Sequence, residues 1–524
     1  MKRLKPSAVG TPRPLLSLLS SSSRIPLRRP MLTKLTPNRY RYCSSHAAAA
    51  ESLSVPATPP PTTTTTTAAQ NATNKTLHHT LATAQSIYGI HEFSPGSPLF
   101  LPNGTRIFNR LIEFLRAQYA LYGYEEVLTP TIYKDKLWEQ SGHLKNFRDD
   151  MFKVISAKKT AAAAAEAGHD KDKANEELEE YSLKPMNCPG HCLLYKMRGH
   201  GHHELPLRFA EFAPLHRDEI RSALTGLTRV RRFHQDDAHI FCRHDQIAQE
   251  IAATLSMIET VYSVFSLQNY KFVLSTRPDN YMGTIDEWTA AEESLKQCLD
   301  ASGKSWTLNE GDGAFYGPKI DIILTDSAGK EHQTATVQLD FQLPHNFELK
   351  YDASEAGRTE TPVIIHRAVF GSLERFMALL IEKFEKRWPF WISPRQVKVI
   401  PVNGSDEVMR FAKQVRDTLA GVQQQQPGGT NTTKDGEGKR RRQALGKRTF
   451  FVDLEENDRA GLSKKIRMAK SDGYNILIIV GNKEVESGKF AYEIWRGGRY
   501  VEEKELSSVE EFYGTLVEME SEYL

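Results

Sequence analysis

Arg229-Val-Arg-Arg-Phe-His-Gln-Asp-Asp-Ala-His239 decides how the middle of this 524-residue chain folds. If the stretch is extended, its side chains alternate between two faces. Arg229, Arg231, Phe233, Gln235, Asp237 and His239 then point one way, and all but Phe233 are polar or charged. That row suits a binding floor, with arginines for phosphate, an aromatic for a base, an amide and a carboxylate for a small ligand, and a histidine for metal. A solvent-exposed face of an antiparallel sheet has the same pattern.

The preceding stretch, Phe212-Ala-Pro-Leu-His-Arg-Asp-Glu219, places Arg217 and Glu219 on one face. A guanidinium grips phosphate through a rigid fork of donors, and a carboxylate accepts from an adenine amine. In Thr336-Val-Gln-Leu-Asp-Phe341 the alternation predicts Val337, Leu339 and Phe341 in the core, with Gln338 and Asp340 on the other side. Further strands are predicted at Leu205–Phe212, Arg229–Phe241, Ile320–Thr325 and Thr334–Phe341. Helices are predicted at Thr105–Tyr119, near 245–266 and 286–301, and from Gly371 onward.

Trp388-Pro389-Phe390-Trp391-Ile392-Ser393-Pro394 reads as a boundary. Beyond it Val397–Val402, Phe450–Val452 and Ile476–Val480 are short, wholly apolar runs between helical stretches. That is the pattern of a small α/β domain with a buried sheet. Ser508 with Glu511 forms a capping box for a last helix. Residues 156–180 and 421–446 are low-complexity insertions.

The composition excludes several classes. Hydrophobic residues make up 40% and charged residues 25%, and no apolar run nears the ~18 residues of a membrane span. Five scattered cysteines make no disulfide framework. Residues 1–50 carry ten Lys or Arg and no acid, so the whole-chain +3 less that +10 leaves −7 for the rest. Nucleic-acid binding must therefore come from local patches. The basic, Ser- and Leu-rich start suits an organellar transit peptide; a basic arm touching RNA is the other reading. The domains expected are a transit peptide 1–48, a spacer 49–84, a catalytic domain 85–392 and a smaller domain 393–524.

Thr105 to Pro130, Phe212 to Glu219 with its loop to Arg229, and Gly371-Ser-Leu-Glu-Arg375 resemble motifs 1, 2 and 3 of class II aminoacyl-tRNA synthetases. Within that class, Met186-Asn-Cys-Pro-Gly-His191, Gln235-Asp-Asp-Ala-His-Ile-Phe-Cys242, Ala314-Phe-Tyr-Gly-Pro-Lys319 and Ile365-His-Arg-Ala368 resemble the threonyl family. The resemblance runs from about residue 85 to the end, outside the two insertions. Arg232 departs from it, standing where the family commonly has glycine. The implied fold is an α+β catalytic domain on a mixed, mainly antiparallel sheet, followed by an α/β anticodon-binding domain.

The resemblance implies ATP-dependent activation of L-threonine and its transfer to tRNA(Thr) by a homodimer. The acid-free basic leader adds the mitochondrial matrix as the expected location, and the lack of a long apolar run the expectation of no membrane attachment. Arg217 would hold the α-phosphate of ATP, Glu219 the adenine amine, Phe233 the ring, Arg229 and Arg375 the γ-phosphate end and Gln333 the adenosine, with Mg²⁺ accompanying ATP. Cys188, His239 and His366 would be zinc ligands. Local spacing alone offers instead Cys188 with His191 and Cys192, or His200, His202 and His203. Asp237 would accept from the threonine hydroxyl, with Met186, Gln235, Tyr316 and Gln338 completing the pocket. His143 would assist the tRNA terminal hydroxyl; its other reading is a loop histidine. Lys464, Lys465 and Arg467 would meet tRNA phosphates, and Asn457 or Glu484 anticodon base edges. Only about 84 residues precede the catalytic region, so no amino-terminal editing domain is expected. A catalytically dead relative, or a synthetase for proline or serine, would lack reason to keep both the arginines and the open Cys/His/His set.

Overall fold

The computed structural model describes residues 77–155, 180–355, 357–422 and 448–524. The expected transit peptide, most of the spacer, and all but the edges of both insertions lie outside the described residues. The folded chain begins earlier than the sequence indicated. A helix, α1 (Leu77–Gln85), buries His78, Ala82 and Gln85, and its His78 faces Glu382 at 3.2 Å. Its buried face is partly polar, which concealed it, so the spacer 49–84 must give up residues 77–84.

α2 (Pro102–Tyr122) starts at a proline whose missing N–H costs nothing in a first turn, and stops at Gly123 in the left-handed region, φ 70°. Ile107, Leu111, Phe114, Leu115 and Tyr119 form its buried stripe. A fully buried Leu or Ile here contributes about 1.5–3 kcal/mol over an exposed one. After the short β1 (Glu125–Glu126) come α3 (Cys188–Lys196), β2 (Leu207–Glu211), β3 (Pro214–His216) and β4 (Arg232–Cys242). Then follow α4 (Ile247–Val264), β5 (Tyr270–Ser275), α5 (Ile285–Ala301), β6 (Trp306–Asn309), β7 (Lys319–Thr325), β8 (Glu331–Asp340), β9 (Val363–Ser372) and α6 (Leu373–Phe384).

Among the described residues nine strands form one sheet, in the order β6-β5-β7-β8-β9-β4-β2-β1, with β3 also paired to β4. Only β5–β6 and β1–β2 are parallel. The register places His239 opposite His366, and His366 opposite Gln338, across three neighbouring strands. Residues distant in sequence therefore share one row on one face. The other face carries the main core, in which Ala238, Ile240, Val337 and Leu339 pack against α2, α4 and α6 residues.

β10 (Val397–Pro401), α7 (Asp406–Ala420), β11 (Val452–Leu454), α8 (Leu462–Asp472) and β12 (Ile476–Val480) build the second domain. An antiparallel pair, β13 (Phe490–Arg496) and β14 (Arg499–Ser507), extends its sheet before α9 (Val509–Ser521). The sheet order is β11-β10-β12-β13-β14. The hairpin was not read from the sequence. Ser508 and Glu511 do form the capping box. The boundary segment is a shared seam: Trp388, Trp391 and Ile392 join the catalytic core, and Phe390 joins the second.

Candidate functional site

β4 begins at Arg232, three residues later than expected. Its alternation is as read from there on: Phe233, Gln235 and Asp237 face the site, while Asp236 and Ala238 face the opposite side. A cleft of about 590 Å³ opens over this face. Arg217, Arg229 and Arg375 line one end of it, with Glu219, Phe233 and Gln333 nearby. Met186, Gln235, Tyr316 and Gln338 line it as well. Arg231, although of the same parity, turns away and bonds the Glu219 carbonyl at 2.8 Å.

Three guanidiniums lie close together along the cleft. Burial lowers the Arg375 pKa, and the nearby Arg217 and Arg229 charges lower it further. Arg375 is aimed by the Thr228 and Gln333 carbonyls, at 3.1 and 2.8 Å. Arg217 lies over the Phe233 ring at 5.1 Å, and its buried Nε has no partner. Guanidiniums that repel one another, one with an orphaned donor, make a seat for an anion. Glu219 pairs with Arg229 at 2.8 Å, so a ligand amine would compete with that bond.

Beneath the other end, Cys188, His239 and His366 offer ligand atoms all within 4.8 Å of one another, and all three residues are buried. This is the only such group among the described residues, so neither locally spaced alternative forms. Tyr316, which lines the cleft, stacks on His366 with ring centres 4.8 Å apart. Asp237 is buried and bonds Asn187 Nδ2 at 3.0 Å. Burial pushes the Cys188 thiol well above its ordinary value, and Asp237 adds to the effect. Burial, then the His366 charge, drives His239 well below its own, leaving a neutral ring able to ligate. A cation seated among them would reverse the thiol's preference.

The chemistry of the donor set fits a divalent zinc ion: a thiol and two imidazoles converge, and the His366 Nε2 is already committed to Asp340 Oδ2 at 2.7 Å. Asp340 in turn accepts the Gln342 and Leu343 backbone N–H groups at 2.7 and 3.0 Å. The carboxylate thus fixes a ligand ring, as outer partners of metal histidines commonly do. Asp340, Asn187 and Glu211 were not read as site residues, and His191 was read only as an alternative ligand. The alternation had placed Asp340 on the correct face, and that was the available signal.

Three further expected site residues, His143, Lys465 and Glu484, are wholly or partly withdrawn from solvent. His143 opens α-helical residues His143–Asn146 and is wholly buried, with Nδ1 on Ser141 Oγ at 2.8 Å and Nε2 3.7 Å from Cys188 Sγ. Burial, then the His366 charge, pushes its pKa down to about 3. It is not itself among the cleft-lining residues, but its Nε2 stands 3.2 Å from Met186 Sδ and its ring 5.4 Å from Phe315, both of which are. In the second domain Lys465 is buried with Nζ on the Pro401 carbonyl at 3.3 Å, so it does not face phosphate. Glu484 caps its own helix, its Oε2 accepting the Gly481 N–H at 2.8 Å. Lys464, Arg467 and Asn457 are exposed. Asn457 Oδ1 accepts the Arg459 N–H at 3.1 Å, leaving its amide N–H₂ outward.

Comparison with known proteins agrees with this architecture. The family described as the class II tRNA synthetase core domain (G, H, P, S and T) matches residues 171–384. The anticodon binding domain family matches 396–519. A probable mitochondrial threonine--tRNA ligase of Schizosaccharomyces pombe is 45% identical over 415 residues, 78% of this chain and 82% of that protein. The mitochondrial enzyme of Saccharomyces cerevisiae is 44% identical over 438 residues, covering 80% and 87%. A solved threonyl-tRNA synthetase structure from Cryptosporidium parvum superposes with a TM-score of 0.71 at 36% identity, covering 84% of this chain and 98% of that one. A Giardia lamblia prolyl-tRNA synthetase, at 15% identity and TM-score 0.57, shares the fold. The chain belongs to the threonine--tRNA ligase family of class II aminoacyl-tRNA synthetases.

Proposed function

We propose that this chain activates L-threonine with ATP and transfers it to tRNA(Thr) in the mitochondrial matrix. The observation that carries this reading is a cleft lined by converging guanidiniums, whose lining residue Tyr316 stacks on His366 of a buried Cys/His/His triad. The threonine carboxylate attacks the α-phosphorus, pyrophosphate leaves, and an adenylate forms. A tRNA terminal hydroxyl then attacks the acyl carbon and AMP leaves. The nucleophile of the first step is already ionised, so this chain's residues act by position and charge. Arg217 holds the α-phosphate, Arg229 and Arg375 the γ end, Phe233 the adenine ring, Glu219 its amine, and Gln333 the adenosine. Mg²⁺ accompanies the nucleotide.

Cys188, His239 and His366 hold zinc in this reading. With only three protein ligands, a bound ion would have room to accept an amine and a hydroxyl by expanding to five-coordinate. Asp237 accepts from the hydroxyl, and Met186, Gln235, Tyr316 and Gln338 close around the methyl. Valine lacks the hydroxyl and is rejected strongly, while serine lacks only a methyl, worth about 1–3 kcal/mol. Lys464 and Arg467 meet tRNA phosphates, and Asn457 a base edge. A homodimer through the motif 1 region is supported by exposed Leu121 and Leu128, 78% and 83% accessible beside α2. The names of the two yeast relatives support the mitochondrial setting.

The test is ATP–pyrophosphate exchange across a panel of amino acids. Threonine is expected to support exchange best, serine measurably and valine negligibly. Exchange with proline or serine in preference to threonine would overturn the reading.

A further inference from the structure

Behind the triad lies a buried chain of polar groups that the ligand set does not use. Glu211, at the end of β2, is wholly buried, as are His191 and Lys184. Its Oε1 accepts the Thr129 N–H at 2.8 Å and the Lys184 ammonium at 3.0 Å. Its Oε2 accepts the Thr129 hydroxyl at 2.8 Å and stands 3.1 Å from His191 Nε2. On the far side of the same ring, His191 Nδ1 stands 2.8 Å from His239 Nδ1.

The direction of each bond follows from the donor inventory. An ionised carboxylate only accepts, and the Lys184 ammonium beside Glu211 supplies its counter-charge. His191 Nε2 is therefore the donor, and in a neutral imidazole the other nitrogen is the acceptor. His191 Nδ1 then accepts a hydrogen bond from the His239 Nδ1–H, which leaves the His239 lone pair on Nε2. His366 arrives at the mirror arrangement through Asp340, with Nε2 donating and Nδ1 left open. Cys188 and His191 are three residues apart on α3, on one helical face. One turn of helix thus contributes a ligand and the group that orients a second ligand.

We propose that Glu211 is a positioning residue for the metal triad, acting through His191 to hold His239 in the tautomer that presents Nε2 to the ion. This rests on the zinc reading above and deepens it. The relay explains why a buried Lys–Glu pair, costly to desolvate, is placed behind the sheet row that carries His239. It also gives His191 a purpose other than ligation, which its place in the local Cys188, His191, Cys192 cluster had suggested.

The test compares zinc affinity, by competition with a chromophoric chelator, in the full chain and three variants. Urea midpoint and ATP affinity serve as controls for the fold. His191→Leu keeps bulk and removes the acceptor; it is expected to bind zinc roughly 10–100-fold more weakly. Its threonine KM should rise while its ATP KM stays. His191→Asn restores an oxygen where Nδ1 stood and is expected to recover most of the affinity. A folded His191→Leu with undiminished zinc affinity overturns the relay, as does a folded Asn variant no better than Leu. If the Leu variant does not fold, Glu211→Gln carries the test: weaker zinc binding supports the relay, and unchanged binding overturns it. Absence of zinc from the unaltered protein would instead overturn the metal reading, and the relay with it.

Discussion

Arg367→Met tests how the two ligand-bearing strands are held together. Arg367 on β9 and Asp236 on β4 meet on the core face, both wholly buried, with Nη1 3.4 Å from Oδ2. The guanidinium also lies over Tyr119 and Tyr124, at 4.6 and 4.2 Å from their ring centres. Asp236 accepts the Val369 and Phe370 N–H groups at 2.7 and 2.9 Å. One residue away on each strand, on the other face, stand or adjoin the triad positions. Breaking a buried pair by removing one partner costs about 3–5 kcal/mol. Methionine fills the space, and the two N–H donors remain, so the lower end, about 3 kcal/mol, is expected.

The pH dependence adds a signed prediction. Burial pushes the Asp236 carboxyl up to about 7, against the Arg367 charge and both N–H bonds. Without Arg367 the folded value rises further above the unfolded ~3.9. A group with a raised folded pKa adds stability below that value and loses it as pH rises through it. The variant's deficit should therefore shrink as pH is lowered from 8 toward 6, by up to about 1.4 kcal/mol per unit. Equilibrium urea unfolding across that pH range is the assay, with Asp236→Asn and the double variant completing a cycle. A coupling of about 1.5–3 kcal/mol is expected. A loss under about 1 kcal/mol for Arg367→Met, or no coupling, would refute the reasoning.

Three more perturbations separate site geometry from tRNA contact. Gly371 has φ +67°, and a Cβ there would stand 2.2 Å from the Thr334 carbonyl oxygen. Gly371→Ala is expected to displace the β9–α6 junction and Arg375, cutting threonine-dependent pyrophosphate exchange at least ~10-fold; normal exchange would contradict the placement of Arg375. Lys464→Ala with Arg467→Ala should raise the KM for tRNA while leaving exchange intact. Lys465→Ala should instead lower the urea midpoint, by about 1–3 kcal/mol of lost buried packing and hydrogen bonding. A tRNA effect from Lys465 without a stability change would return it to the RNA surface.

Much of the site was legible because strands have a period of two. Gln235, Asp237 and His239 were placed on one face from alternation, and Asp340 followed from Gln338. The triad was not legible from spacing, since register sets His239 beside His366 and the packing of α3 brings Cys188 near both. Resemblance supplied those positions. The β13–β14 hairpin was overlooked although Gly497-Gly498, with φ +58° and +85°, is a two-residue turn between alternating runs. α1 was overlooked because two of its three buried residues, His78 and Gln85, are polar. Lys465 and Glu484 show the limit of residue type as evidence: the same charged groups that meet RNA also cap helices and tie strands. His191 looked like a ligand because its cysteines are close in sequence, whereas its ring turns toward His239 and Glu211.

The central claim is that one metal-bearing triad at the end of an ATP cleft selects threonine. Zinc content and threonine-dependent pyrophosphate exchange, measured on the same preparations of the unaltered chain and of His239→Ala, test it most directly. The account predicts one zinc per chain and threonine exchange in the former. In the variant it predicts loss of both, with the urea midpoint and ATP affinity retained. A folded His239→Ala that still activates threonine at the unaltered rate would contradict it.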